Sequence, residues 1–173
     1  MSWRERITAF DDAADRACDR VRSPALDRIV YPLSSAADHS LLWHAIGVVR
    51  ALTPGGDLQG FVRFSVAMGI ESAITNGAVK SLFRRVRPVE YGELDFSYGL
   101  RRPVTSSFPS GHATAAFCAA TLLSGGPALY AAAAAVAGTR VYVRLHHASD
   151  VVAGAVFGLV LGAALRPLVR WRE

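Results

Sequence analysis

Between residues 39 and 168 the chain is cut by proline- and glycine-bearing breaks into apolar stretches of helical length. The first covers about 39–52 and stops at the turn Thr53-Pro54-Gly55-Gly56. The second runs from Leu58 to about Phe83 and carries Arg63 and Glu71 inside it. A polar stretch over 84–109, with Pro88, Gly92, Gly99 and Pro103, separates it from a third that starts near Ser110 and ends at Ser124-Gly125-Gly126. Pro127 opens a fourth, alanine-rich run to about Val143. A fifth begins near Ser149 and ends around Leu168. Short turns between long helices make neighbours antiparallel, so the expected architecture is all-α: an antiparallel helix bundle over 39–173.

Ahead of it, 1–38 forms a separate amphipathic helical segment. Ile7, Phe10, Ala14, Ala17 and Val21 recur at helical spacing over 5–22, with acids and arginines on the other faces. Such a helix can lie on a membrane surface, cap a bundle, or be an ordinary surface helix. Ser23-Pro24 breaks it and starts a short second helix through Val30, which Tyr31-Pro32 is expected to end.

Hydrophobic residues make up 51% of the chain, charged residues 19%, and mean hydropathy is +0.26. This favours a transmembrane bundle of about five spans, although each segment alone also suits a soluble helical core. A span needs about 20 residues to cross a hydrocarbon core of about 30 Å. The uncharged run Val151–Leu165 reaches that length only with its flanks, and the second helix only with two charges inside.

The net charge of +5 comes almost wholly from arginine. Zinc-finger spacing, an RNP-like strand and a polybasic tail are all missing, so nucleic acid is not the expected partner. Arginines set among apolar segments point instead to lipid and phosphate. Cys18 and Cys118 are too few and too far apart for a disulfide framework or a metal cluster. The charged first twenty residues lack a signal-peptide core, so membrane attachment is expected from internal spans.

Three clusters carry chemistry. Lys80, the single lysine beside eighteen arginines, precedes Arg87-Pro88 by seven residues at the end of the second helix. Pro88 keeps Arg87 out of helical conformation, letting its guanidinium turn back toward the helix end. Contact with lipid headgroups is the alternative reading, and Arg84 and Arg85 are assigned to it. Next, Phe108-Pro109-Ser110-Gly111-His112 opens the third helix, with Ser110 as N-cap and Gly111 admitting close approach of a ligand to backbone N–H groups. His112 then stands one step from a bound anion, placed to protonate a leaving oxygen; a merely capped helix is the bland alternative. Finally, His146 and Asp150 are four apart, so the carboxylate is placed to accept from one ring nitrogen and leave the other as nucleophile. Arg140 is positioned to neutralise phosphoryl oxygens. His147 faces elsewhere, and His39 and His44 suit polar packing in the first apolar helix. Counting helices back and forth brings all three clusters to one end of the bundle.

Together the clusters resemble the phosphatidic acid phosphatase type 2 / vanadium haloperoxidase superfamily, whose signatures are Lys-x6-Arg-Pro, Pro-Ser-Gly-His and Ser-Arg-x5-His-x3-Asp. They read here KSLFRRVRP (80–88), PSGH (109–112) and TRVYVRLHHASD (139–150), and the likeness extends from about residue 60 to the end. Thr139 replaces the usual serine and keeps its hydroxyl. The resemblance implies phosphate binding by Lys80, Arg87, Ser110, Gly111 and Arg140, attack by His146 oriented by Asp150, and proton transfer by His112. It implies a lipid phosphatase working through a phosphohistidine, with no metal or other cofactor. The substrate would be a polyprenyl-phosphoryl sugar phosphate, a polyprenyl pyrophosphate or a phospholipid-type phosphate. A vanadate-dependent haloperoxidase is the alternative, disfavoured by the short apolar chain; secreted acid phosphatases of this kind need a signal peptide.

With five spans, Arg4, Arg6, Arg16, Arg20, Arg22, Arg28, Arg84, Arg85, Arg87, Arg101, Arg102 and Arg144 share the site side, against Arg50, Arg63, Arg166, Arg170 and Arg172 opposite. The positive-inside rule then gives a multi-pass protein of the cell membrane with a cytoplasmic-facing site.

Overall fold

Most helices begin where the sequence supplies a cap or a proline. In the computed structural model, which describes residues 1–88 and 105–171, there are seven α-helices and no strand among those residues. Gly92, Gly99, Arg101, Arg102 and Pro103 of the polar stretch, and Arg172, lie outside the described residues. Helix α1 is Trp3–Val21, started by a Ser2/Glu5 capping box. Helix α2 is Pro24–Ala36, with the Ser23 hydroxyl accepting from the Leu26 N–H. A turn over Asp38–Ser40 leads into α3, Leu41–Leu52. Helix α4 is Leu58–Ser72, α5 is Gly111–Leu122, α6 is Gly126–Tyr142 and α7 is Ala148–Leu165.

Two elements depart from expectation. Pro32 does not end α2; the helix runs on to Ala36. Buried Tyr31 and Ser34 and the hydrogen bond from Tyr142 Oη to Asp27 (2.7 Å) tie it to α6, and this packing outweighs the one backbone bond a proline removes. The second apolar helix is not uniform either. After Ser72 it widens into a π-helical stretch, Ala73–Val79, and closes with a tight 3-10 turn, Lys80–Leu82.

Helix α5 is the hub, packed by α4, α6 and α7 and buried on nearly every face. Alanines dominate it, so its neighbours come close. Along α7, Gly154, Gly158 and Gly162 face α5; a methyl group on Gly158 would lie 2.3 Å from the Thr114 carbonyl oxygen. Trp43, Phe64, Met68, Leu122 and Leu123 complete the main core. The outward faces are apolar too: Val62 and Val66 on α4, Val48 and Val49 on α3, and Val152, Val156 and Val160 on α7 are exposed.

The five-span reading is met only in part. Among the described residues one helix, Ala148–Leu168, is long and apolar enough to cross a membrane by length and composition. At 1.5 Å per residue the 12 residues of α3 or of α5 reach about 18 Å.

Candidate active site

The site forms where the end of the α4 region, the start of α5 and the turn between α6 and α7 meet. Each contributes a group because its local sequence forces the chain to change direction there. The π-helical stretch carries Lys80 into a buried position, 8% exposed, with Nζ 3.5 Å from Thr105 Oγ1. Beyond the 3-10 turn, Arg87 folds back toward the bundle. Its guanidinium donates to the carbonyls of Leu145 (2.5 Å) and Thr105 (3.1 Å) and lies 3.3 Å from His146 Nε2.

Ser110 caps α5, its hydroxyl accepting from Ala113 N–H, while its own N–H donates to the Asp150 carbonyl (3.1 Å). Gly111 is needed for a close approach: a methyl group there would stand 2.8 Å from Asn76 Oδ1 and 3.6 Å from Lys80 Nζ. The motif predicts that freedom for a ligand; in the fold the stretch after α4 already occupies part of it. Arg140, 4% exposed, donates to Ser34 Oγ at 2.6 Å, and its buried Nε has no hydrogen-bond partner among the described residues. An unmet buried guanidinium donor is what an anion would satisfy.

His146 is 2% exposed and sits in the turn between α6 and α7. Its Nδ1 lies 2.7 Å from the Ser107 carbonyl oxygen, which can only accept, so Nδ1 carries the hydrogen. Nε2 is therefore the lone-pair nitrogen, consistent with Arg87 donating toward it. This differs in detail from the expected direct pairing with Asp150, whose Oδ2 is 3.9 Å from Nδ1. Oδ2 accepts instead from Ser107 Oγ (2.5 Å) and the His147 N–H (2.9 Å), so Ser107 links carboxylate to imidazole with its two oxygens. The helix start is the reason: Asp150, in the first turn of α7, accepts from the His147 N–H, and that capping bond holds its carboxylate along the helix start rather than on the ring nitrogen.

Arg85 is a second correction. Its place in the basic helix end predicts headgroup contact, yet NH1 bonds Asp150 Oδ1 and NH2 bonds Asp11 Oδ2, both at 2.6 Å. Among the residues that sequence reasoning passed over, Asp38 is the most consequential. Its Oδ1 lies 2.8 Å from His112 Nε2. Ser107, Ser34 and Asp11 were missed as well. Only a polar residue on an otherwise apolar helix face would have flagged Ser34, and nothing local flags the others. His147 points outward, its Nε2 3.2 Å from the Val86 carbonyl, while His44 packs against Phe61 and Phe64.

Burial pushes the His146 imidazole down to about 3, against the pull of Asp150 and with Arg87, Arg140 and Lys80 pushing the same way. The base is thus neutral across the working pH range, ready to attack. The unfolded chain takes up this proton near 6.5, whereas the folded protein resists it until about pH 3. The resulting stability is complete above 6.5 and is lost as pH falls toward 3. In His146→Gln the melting temperature should accordingly fall less steeply than in wild type between pH 6.5 and 4. Parallel melting curves over that range would refute the burial argument.

Comparison with known proteins follows the same lines as the geometry. The sequence profile of the PAP2 superfamily matches residues 60–173. Decaprenylphosphoryl-5-phosphoribose phosphatase of Mycolicibacterium smegmatis is 31% identical over 128 residues, covering 70% of this chain and 67% of the relative. Among solved structures, the transmembrane PAP2 type phosphatidylglycerolphosphate phosphatase from Bacillus subtilis superposes with a TM-score of 0.69 at 22% identity, covering 93% of this chain and 85% of that one. LpxE of Aquifex aeolicus gives 0.67 at 24% identity, covering 87% and 91%. At those identities the two structures show a shared fold.

Proposed function

This chain belongs to the PAP2 superfamily and is a phosphatase; from that premise we propose that it removes the terminal phosphate of a polyprenyl-phosphoryl sugar phosphate at a membrane. One observation carries the chemistry. The cations Lys80, Arg87 and Arg140 surround His146, whose Nδ1 hydrogen is fixed and whose Nε2 faces Arg87. Three like charges crowded together are stabilised by an anion, and a phosphoryl group supplies one directly in line with the nucleophile.

Nε2 of His146 attacks phosphorus, and the bond from phosphorus to the substrate's alcohol oxygen breaks. His112 gives that oxygen a proton. With Nε2 of His112 held by Asp38, the proton leaves from Nδ1. Water then attacks the phosphohistidine, His112 takes its proton, and inorganic phosphate departs. Lys80, Arg87, Arg140 and the N–H groups at the start of α5 bear the charge on the equatorial oxygens throughout. Because protein cations do this, turnover should survive chelation of divalent metals.

The membrane setting is supported by the apolar outward faces of α3, α4 and α7 and by the one helix of spanning length. The concentration of arginine at the site end supports a cytoplasmic-facing site. The choice of lipid follows the relative from M. smegmatis, whose name specifies a polyprenyl-phosphoryl pentose phosphate.

The test is phosphate release by detergent-purified protein, with chelator, from polyprenyl-phosphoryl pentose phosphate, polyprenyl pyrophosphate, phosphatidate and phosphatidylglycerol phosphate. Preference for the first by tenfold or more in kcat/KM is expected, about 1.4 kcal/mol of discrimination. Preference for another lipid would replace the substrate while keeping the chemistry. No release from any, with bromide oxidation once vanadate and peroxide are added, would replace the chemistry by that of a haloperoxidase.

A further inference from the structure

The segment before α3 lies outside the 60–173 family match, yet its polar side chains reach into all three parts of the site. Asp11 is the buried residue of α1, 4% exposed on a helix otherwise open or half-open to its surroundings. An ion is costly to bury unless it is fully paired, and Asp11 is. Its Oδ2 accepts from Arg85 (2.6 Å) and from Ser149 Oγ (2.8 Å), and its Oδ1 accepts from the Ser149 N–H (2.8 Å) in the first turn of α7. Arg85 uses its other prong on Asp150. From α2, fully buried Ser34 takes a hydrogen bond from Arg140. From the turn before α3, Asp38 holds His112.

We propose that Asp11, Ser34 and Asp38 form a positioning collar, through which the N-terminal segment sets the geometry of the catalytic groups. Each member acts on a different one. Asp11 clamps Arg85, and the pair fixes the Asp150 carboxylate that holds Ser107 and, through it, the ring of His146. Ser34 aims the Arg140 guanidinium. Asp38 orients His112 and, against burial and the Arg140 guanidinium that together push the imidazole down, supports its protonated form. Among the described residues, the charged groups facing His112 are Asp38 from the turn before α3, Arg140 from α6 and Lys80 from the end of the α4 region. Asp38 is therefore an anion that opposes two cations there.

The inference rests on the phosphohistidine reading, and its test separates the two. Asp11→Asn, Ser34→Ala and Asp38→Asn are made in the full chain, and burst-phase phosphoenzyme counts the competent sites in each preparation. Rates are then compared per site, so partial unfolding does not enter. Asp11→Asn should lower kcat about 10- to 100-fold with KM little changed, as misplacement by about 1 Å does. Ser34→Ala should lower kcat and raise KM together, because Arg140 touches both ground state and transition state. In Asp38→Asn the alkaline fall of kcat should move down by about 1–3 pH units, as loss of a neighbouring anion demands, and Asp38→Glu should restore part of it. Unchanged kcat per site and an unchanged pH profile in all three would overturn the collar alone. Wild type that releases no phosphate would overturn both readings.

Discussion

Replacing His146 with Gln should lower kcat by roughly 10⁴-fold or more, the scale seen when a covalent nucleophile is lost. The expectation comes from how fully the ring is committed. Its Nδ1–H is spent on the Ser107 carbonyl, so Nε2 carries the lone pair, and Arg87 stands 3.3 Å away to receive the phosphoryl oxygens. An amide offers neither the nucleophile nor the fixed axis. His112→Gln is the informative contrast. With a lipid substrate it should lose about 10²–10⁴-fold, the scale of general acid–base catalysis. With an aryl phosphate, whose leaving group needs no proton, it should still form phosphoenzyme. Rapid quench separates the cases: acid-labile protein-bound phosphate should appear in wild type and His112→Gln and be missing from His146→Gln. Phosphoenzyme in the His146 variant would place the covalent bond elsewhere.

Gly158→Leu should do comparable damage by another route, nowhere near the phosphate. A first side-chain carbon at this position would lie 2.3 Å from the Thr114 carbonyl oxygen and 3.0 Å from its carbonyl carbon. Those are backbone atoms in the first turn of α5 and cannot swing aside as a side chain would. The helices must separate, at a cost that begins at about 1–3 kcal/mol for overpacking and grows with the bulk of leucine. Separation also carries Ser110 and His112, at the start of α5, away from Asp150 at the start of α7. Melting temperature and kcat should therefore fall together, and Gly158→Ala should show a smaller version of both. A leucine variant with wild-type melting and turnover would refute the close packing of α5 on α7.

The signature residues were legible because each sits beside a local conformational signal. Pro88 turns Arg87, Ser110 caps α5, and the spacing of four puts His146 and Asp150 at one helix start. Periodicity and turn residues likewise located α1, α3 and α5 to α7 to within a few residues, together with the start of α4 but not its end. What sequence left dark depends on contacts distant along the chain. The sequence separation of 74 between Asp11 and Arg85, and the equal one between Asp38 and His112, leave no periodic trace. Arg85 is one of three arginines within four positions, and only the tertiary fold tells its role from that of Arg84. Pro32 misled for the opposite reason: a strong local signal was outweighed by packing against α6. The span count stayed open because gly- and ala-rich helices that pack closely are also of modest hydropathy.

The wide winding of Ala73–Val79 has a consequence for how this stretch can change over time. Adding or removing one residue upstream of Lys80 would rotate everything beyond it by about 100°. The ammonium would then face away from Arg87 and Arg140, and the redirected chain would carry Arg85 and Arg87 with it. Substitutions along the outer surface of this stretch leave that angle alone. Its length, rather than its letters, is what descent has to preserve.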